Sequence, residues 1–368
     1  MKRYGKGNGI SSVARGKRGR FVLNIKNFAP IEKARFEFIV PGINVITGDN
    51  GTGKTRAILA LYFLNELLKL SNLNKHSMIL EVKHFMIPRH FPWVENERGT
   101  DLSKLFLDIE KPVELELEAY ERDHERPFAR VKVVLSYKDR VYKERKKDHE
   151  IDIDVKTERR GGKHRIPIHV IGPFRTTFTA CSCPFKFPQA YVDSFAEFRE
   201  RVTCETRLTA FSDKPKVHFY PNGTFEFEVN GKRLRPPEAA SGWTELAYFY
   251  AYMEVAKQPP RLIAIEEPEA HLFPQNVVAL MRDLMKYVRR GYGFLITTHS
   301  PLLSVALSLL MEEENVHGLF LRWYILERGG KGSILKECNV HECLANDVLL
   351  NTIIDLMKKY VVMNVGRD

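Results

Sequence analysis

The segment that most limits this chain's fold runs from Ile43 to Leu70. Ile43-Asn44-Val45-Ile46-Thr47 is a short apolar, β-branched run and reads as a buried strand. It passes directly into Gly48-Asp49-Asn50-Gly51-Thr52-Gly53-Lys54-Thr55. That octet fits the spacing G-x-x-x-x-G-K-[ST] of a phosphate-binding loop. A helix is predicted from Lys54 to about Leu70, with Ile58, Leu59, Leu61, Leu64, Leu67 and Leu68 on one broad face. A strand, a glycine-rich turn and a helix in this order form an anion cradle. The loop can wrap its N–H groups round phosphate only where side chains do not obstruct them. The helix that follows points its positive end at the same anion. Lys54 is the point charge for the β- and γ-phosphates of a nucleotide, and the Thr55 hydroxyl is the candidate Mg²⁺ ligand.

A phosphate loop needs a partner strand ending in acid. Leu262-Ile263-Ala264-Ile265 reads as a fully buried strand and ends in Glu266-Glu267-Pro268-Glu269. Two adjacent carboxylates then stand at the carboxyl edge of the sheet, where nucleotides bind. Glu266 is the candidate for the metal's hydration shell, and Glu267 for orienting or deprotonating an attacking water. An acidic loop after a core strand also has a purely structural reading, but the upstream loop favours the chemical one. A last buried strand, Phe294-Leu295-Ile296-Thr297-Thr298, closes with His299-Ser300-Pro301. A histidine at that edge can contact a terminal phosphate. Finally, Ala240-Ser241-Gly242-Trp243-Thr244 begins a helix that runs through the apolar stretch from Leu246 to Val255. A simple N-cap by Ser241 is one reading. A second anion-binding helix end, serving a nucleotide held by a neighbouring subunit, is the other.

The rest of the chain frames these motifs. Pro112–Glu118, Ala129–Leu135 and His149–Val155 alternate apolar with charged residues, which predicts antiparallel strands with one wet face. Residues 76–204 therefore read as a β-rich insertion ending in a helix near Tyr191–Val202, set into an α/β core. The expected division is a basic disordered tail at 1–20, a first core part at 21–75, the insertion at 76–204, and the remaining core at 205–368. Within that last part a hairpin is expected over Thr224–Lys232, a helix over about Gln275–Arg289, and a strand pair plus final helix over Tyr324–Asp368. Continuous apolar strands alternating with helices predict a parallel sheet covered on both faces.

With 368 residues, 44% hydrophobic and 28% charged, the composition is that of a soluble globular protein. No apolar run is long enough for a membrane helix, and the basic N-terminus lacks the apolar region of a secretory signal. Cys181, Cys183, Cys204, Cys338 and Cys343 form no disulfide framework in a chain this long, so a reduced, cytoplasmic protein is expected. Cys338, His341 and Cys343 crowd too closely for a zinc site. The net charge of +11 is concentrated in three places: a start carrying Lys2, Arg3, Lys6, Arg15, Lys17, Arg18 and Arg20, a run at Lys143–Lys147, and Arg159–Arg165. Such charge suits a polyanion, or simply a solvated surface.

In their order, Gly48–Thr55, Ser241-Gly242, Glu266–Pro274 and Thr298–Pro301 resemble the ABC-type ATPase class. Within it they resemble the branch of AAA-like ATPases related to OLD-family proteins, near SMC and RecF heads. The opening Asn27-Phe28-Ala29-Pro30-Ile31 resembles the same branch, and the likeness covers about 21–75 and 205–325. It implies an α/β P-loop NTPase head with a mixed sheet flanked by helices, binding ATP and Mg²⁺. It also implies that two copies clamp across the nucleotide, with Ser241 and Gly242 reaching the neighbour's phosphates. The sequence departs from the pattern twice. Ala239-Ala240 stand where the signature begins Leu-Ser, and Glu266 stands where Asp is usual. Ile171-Gly172-Pro173-Phe174-Arg175 weakly resembles a segment that brings an arginine near the site. The nuclease (TOPRIM) domain of OLD-type proteins has no counterpart here, and there is no room for an SMC coiled coil. The expected function is an ATPase head that dimerises on MgATP to act on DNA or on a separate effector protein, as in repair or anti-phage defence. The alternatives are a nucleotide-gated scaffold with little turnover and, less well matched, a small-molecule P-loop kinase.

Overall fold

The computed structural model describes residues 19–70, 73–96, 99–121, 125–140, 148–159, 168–171, 205–220, 224–255, 261–313, 321–338 and 358. Residues 1–18 of the expected tail, the Lys143–Lys147 run, most of Arg159–Arg165, the Tyr191–Val202 helix, Arg175 and most of the final helix lie outside them.

Residues 19–48 form β1 (Gly19–Phe28), β2 (Ile31–Val40) and β3 (Gly42–Gly48). The first begins inside the expected tail, because Phe21, Val22, Leu23 and Ile25 are already core residues. Helix α1 (Lys54–Lys69) follows the glycine-rich turn. Short elements come next: α2 (Lys75–Glu81), α3 (Ile87–His90), and the two-residue strands β4 (Glu95–Asn96) and β5 (Gly99–Thr100). The alternating segments become β6 (Val113–Glu121), β7 (Ala129–Arg140) and β8 (Asp148–Arg159), and β9 (Ile168–Ile171) follows. A small antiparallel sheet holds β10 (Glu205–Arg207), β11 (Lys216–Phe219), β12 (Phe225–Val229) and β13 (Lys232–Leu234). The chain then runs through α4 (Ser241–Val255), β14 (Leu262–Glu266), α5 (Pro274–Arg289), β15 (Gly293–Thr298), α6 (Pro301–Glu313), β16 (Leu321–Arg328) and β17 (Ser333–Cys338).

Eleven strands form one mixed sheet in the order β8-β7-β6-β1-β2-β17-β16-β3-β15-β14-β9. Its inner part, β16-β3-β15-β14-β9, is parallel. The wet-faced strands β6, β7 and β8 continue the sheet through an antiparallel pairing of β6 with β1. The strands of the expected insertion are therefore an edge of the main sheet, joined to it by backbone hydrogen bonds.

Alternation along the central strands sorts the core into two layers. Ile46, Leu262, Ala264, Leu295, Tyr324 and Leu326 pack on the face that carries α1. Ile43, Val45, Ile263, Ile265, Phe294, Ile296, Trp323 and Ile325 pack on the other, against residues of α4, α5 and α6. Both faces are covered, as continuous apolar strands require. Buried Asn44 ties three strands together. Its side chain accepts from the Ile39 N–H (2.8 Å) and donates to Ile39 O (3.1 Å) and Phe294 O (2.9 Å). Cys338, at the end of β17, is disulfide-bonded, which departs from the expectation of a reduced protein. No helix among the described residues is long and apolar enough to cross a membrane.

Candidate nucleotide-binding site

The register of the parallel strands brings the motifs to one edge. β3 lies between β15 and β16, with Thr47 opposite Thr298 and Gly48 opposite Leu326. β14 lies beyond β15, with Glu266 opposite Thr297. All four strands run parallel, so the turn after β3, the acids after β14 and His299 after β15 emerge on the same side.

The turn has the shape that its glycines allow. Gly48, Gly51 and Gly53 take φ of +144°, +79° and +102°, values costly for any residue with a Cβ. A Cβ on Gly48 would lie 2.3 Å from Leu326 O, and one on Gly53 would lie 2.7 Å from Ile31 Cγ1. Around Gly51 the only atom of the described residues within 4 Å of such a Cβ is Arg328 Nη2, at 3.6 Å. The loop is thus pinned at both ends against the fold, while at its crest Gly51 meets, among the described residues, only a cation. Thr52 fixes the bend internally, its buried hydroxyl donating to Asp49 O at 2.8 Å. Asp49 and Asn50 are exposed.

Lys54 is buried, and its ammonium donates to Gly48 O (2.7 Å) and Asp49 O (3.0 Å). Burial pushes its pKa below the usual lysine value. The negative fields of Glu267, Asp49, Glu266 and Glu269 push it back up. Those four carboxylates are therefore close enough to act on one ammonium. Thr55 is exposed in the first turn of α1.

Glu266 is buried at the end of β14. The backbone then turns sharply. Glu267 has φ +45° while its N–H donates to Thr297 O at 2.8 Å. A non-glycine residue held in this region costs on the order of 1–3 kcal/mol, and such strain clusters at functional sites. The turn aims two acids differently. Glu267 Oε1 lies 3.1 Å from His299 Nδ1, and both side chains reach solvent. Glu269 goes inward and accepts from the Thr298 hydroxyl, which itself accepts from the Ser300 N–H at 2.9 Å. Burial raises the Glu269 pKa above the ordinary glutamate value.

The structure thus gathers Gly48–Thr55, Glu266, Glu267 and His299. Ser241 and Gly242 sit elsewhere, at the start of α4 against the loop that follows the acids. A Cβ on Gly242 would be 2.9 Å from His271 O and 2.9 Å from Leu272 Cδ2. Exposed Ser241 lines a cavity of about 710 Å³ with Thr244, Glu245, His271, Arg235 and Tyr220.

Three pairings are not marked in the sequence. The Glu269–Thr298 pair is one, although Glu269 stands two positions past the predicted catalytic acid. Arg56, next to Thr55, is another: its guanidinium lies 3.1 Å from the centre of the Trp93 ring, and burial pushes its pKa down to about 10. Arg328 is the third; its Nη2 donates to Asn50 O at 2.8 Å. Nothing in the local sequence marks these partners, which lie 29 to 278 positions away.

Two family descriptions match the chain. One, described as "AAA domain", covers residues 23–159. The other, described as "AAA domain, putative AbiEii toxin, Type IV TA system", covers residues 186–306. The first contains the glycine-rich loop, and the second contains Ser241, Glu266, Glu267 and His299. The chain carries an AAA-type P-loop domain. No curated protein matches it. Among solved structures, the SMC head domain from Thermotoga maritima is similar at 14% identity and TM-score 0.42, covering 86% of this chain and 98% of that one. An Smc head domain with an extended coiled coil, derived from Pyrococcus furiosus and bound to the C-terminal domain of ScpA, gives 12%, 0.49, 91% and 99%. The recombination mediator RecF bound to an ATP analogue gives 11%, 0.42, 87% and 98%.

The AAA-type loop suits a polyphosphate with its metal. Its cradle is one that Cβ atoms would fill, its Lys54 is already held among carboxylates, and α1 is sixteen residues long with its N-terminus at the loop. Gly48–Lys54 would hold the phosphates, and Thr55 with Glu266 would hold Mg²⁺.

Proposed function

We propose that this AAA-type domain binds MgATP in the Gly48–Thr55 loop, hydrolyses it, and pairs with a second copy of itself across the nucleotide. The observation that carries the reading is the convergence on one edge of a buried lysine, a buried carboxylate at Glu266, and an exposed carboxylate at Glu267 that meets His299 at 3.1 Å. Bound Mg²⁺ supplies charge neutralisation for phosphoryl transfer. The residues do the rest. Lys54 offsets phosphate charge. Glu267, with an oxygen exposed and oriented by His299, takes a proton from the attacking water or aligns it. His299 at Nδ1 keeps that carboxylate in place and offers its other nitrogen to the site.

Pairing is supported by what is left over. Ser241 and the start of α4 stand apart from the acids and the P-loop, exposed beside an open cavity. They are free to serve a neighbour's phosphates. The division into 21–75, 76–204 and 205–368, a cytoplasmic setting, and action on DNA or a separate effector protein belong to the same proposal. DNA is favoured by the basic stretches.

The test is turnover and binding in Glu267→Gln. MgATP affinity is expected to persist, because the amide is nearly isosteric and leaves Lys54 and Thr55 in place. Hydrolysis is expected to fall by ~10²-fold or more, the size of a lost general base. Parent-level turnover in the variant removes Glu267 from the chemistry. Tight binding without turnover in the parent leaves a nucleotide-gated scaffold.

A further inference from the structure

Arg328 ends β16, the strand next to β3 on the side away from β15. Leu326 is opposite Gly48, so Arg328 stands two residues beyond the loop's first glycine, at the same carboxyl edge. Its Nη2 donates to Asn50 O at 2.8 Å and stands 3.6 Å from where a Gly51 Cβ would be. The guanidinium is exposed. A guanidinium has five N–H donors in a fixed planar fork, and the contact with Asn50 uses one.

The two flanks of β3 are chemically distinct. Glu266, Glu267 and His299 follow β14 and β15 on one flank. Acids that bind the metal and align water mark that flank as the place of the terminal phosphate. The other flank holds Arg328 and the turn Gly329–Gly332. That turn closes by a 2.7 Å bond from the Gly329 N–H to Gly332 O, and the Ser333 N–H bonds Pro30 O at 2.8 Å. Residues 30–31 in turn back Gly53. A nucleotide whose γ-phosphate lies toward the acids must extend its α-phosphate and nucleoside toward the opposite flank.

We propose that Arg328 is a nucleotide-binding residue, a second cation of the P-loop acting on the α-phosphate side of a nucleoside di- or triphosphate. It rests on the nucleotide-site reading above and adds a residue that follows the P-loop by more than 270 positions. Because the contact does not involve the γ-phosphate, ATP and ADP share it. Because it stands away from Glu267, it acts on affinity and leaves the chemical step alone.

The experiment measures dissociation constants for fluorescent MgATP and MgADP analogues, by anisotropy on the full chain, for the parent, Arg328→Gln, Arg328→Lys and Lys54→Ala. Arg328→Gln is expected to weaken both nucleotides by the same factor of about 10, the scale of one charge-assisted contact, while turnover at saturating ATP is unchanged. Arg328→Lys should recover most of the loss, since it restores the charge. Thermal unfolding checks that the variants fold; the exposed position predicts that they do. Unchanged affinity for both nucleotides overturns the assignment. So does a fall in saturated turnover at unchanged affinity, which would make Arg328 a brace for the loop crest. Lys54→Ala separates the two levels. If it binds ATP as the parent does, the P-loop reading itself fails; if it loses ATP while Arg328→Gln does not, only the role of Arg328 fails.

Discussion

At the scale of single residues, the site is a set of charges each given a different exposure. Lys54 is the buried one that must stay charged, and the surrounding carboxylates oppose the effect of burial on it. Lys54→Ala is therefore expected to abolish tight MgATP binding, measured by titration calorimetry. Affinity equal to the parent's would exclude Lys54 as the phosphate cation. Glu269 shows the reverse balance. Burial raises its pKa, so the folded protein holds the proton more tightly than the unfolded chain does. Its contribution to stability is complete below the unfolded glutamate pKa and is lost as pH rises through the raised folded value. Glu269→Gln removes that dependence while keeping an oxygen for the Thr298 hydroxyl. Its melting temperature relative to the parent should rise with pH across that window; a difference independent of pH would mean that the carboxyl is not held protonated. That Gly48–Thr55, Glu266, Glu267 and His299 come to one edge of the sheet was legible because each motif is contiguous. Arg328, Thr298 as the partner of Glu269, and Trp93 beneath Arg56 were not. Their roles come from pairings across the sheet, and a lone arginine, threonine or tryptophan carries no local pattern.

At the scale of elements, the parallel centre of the sheet was readable from continuous apolar strands between helices. The placement of β6, β7 and β8 was not. Period-2 alternation predicted wet-faced antiparallel strands, and their burial agrees: β6 alternates strictly from Val113 to Ala119. Alternation says nothing about which edge a strand joins. The β1–β6 pairing links Leu23 to Leu117, a contact fixed only by long-range packing. Helix α4 gives a second case. Its start was readable from Ser241-Gly242, but its packing on the acid loop is visible only in three dimensions. Gly242→Ala inserts a methyl 2.9 Å from the His271 carbonyl. The expected cost is about 1–3 kcal/mol, the scale of overpacking a close contact, read by chemical denaturation. An unaltered midpoint would show that the loop yields without resistance, and that α4 and the acids are not mechanically joined.

At the scale of the whole molecule, the functional reading rests on the +11 net charge and on the proposed pairing of subunits. Seven of the positive charges lie at Lys2 to Arg20, outside or at the margin of the described fold. If they meet a polyanion, DNA affinity should fall by about 10²-fold or more between about 50 and about 200 mM salt, through counterion release. Removal of residues 1–18 should flatten that slope in a fluorescence-anisotropy titration. Absence of binding at low salt would return the charge to a solvating role. The proposed pairing joins the proposed catalytic acid, Glu267, to the helix start at Ser241. Glu267→Gln is expected to hold ATP without hydrolysing it, so pairing driven by ATP should accumulate. The most direct measurement is multi-angle light scattering of this variant with MgATP and with MgADP. A dimer mass is expected with ATP, a monomer mass with ADP, and loss of the dimer when Ser241 or Gly242 is also changed; a monomer under both nucleotides would contradict pairing across the nucleotide.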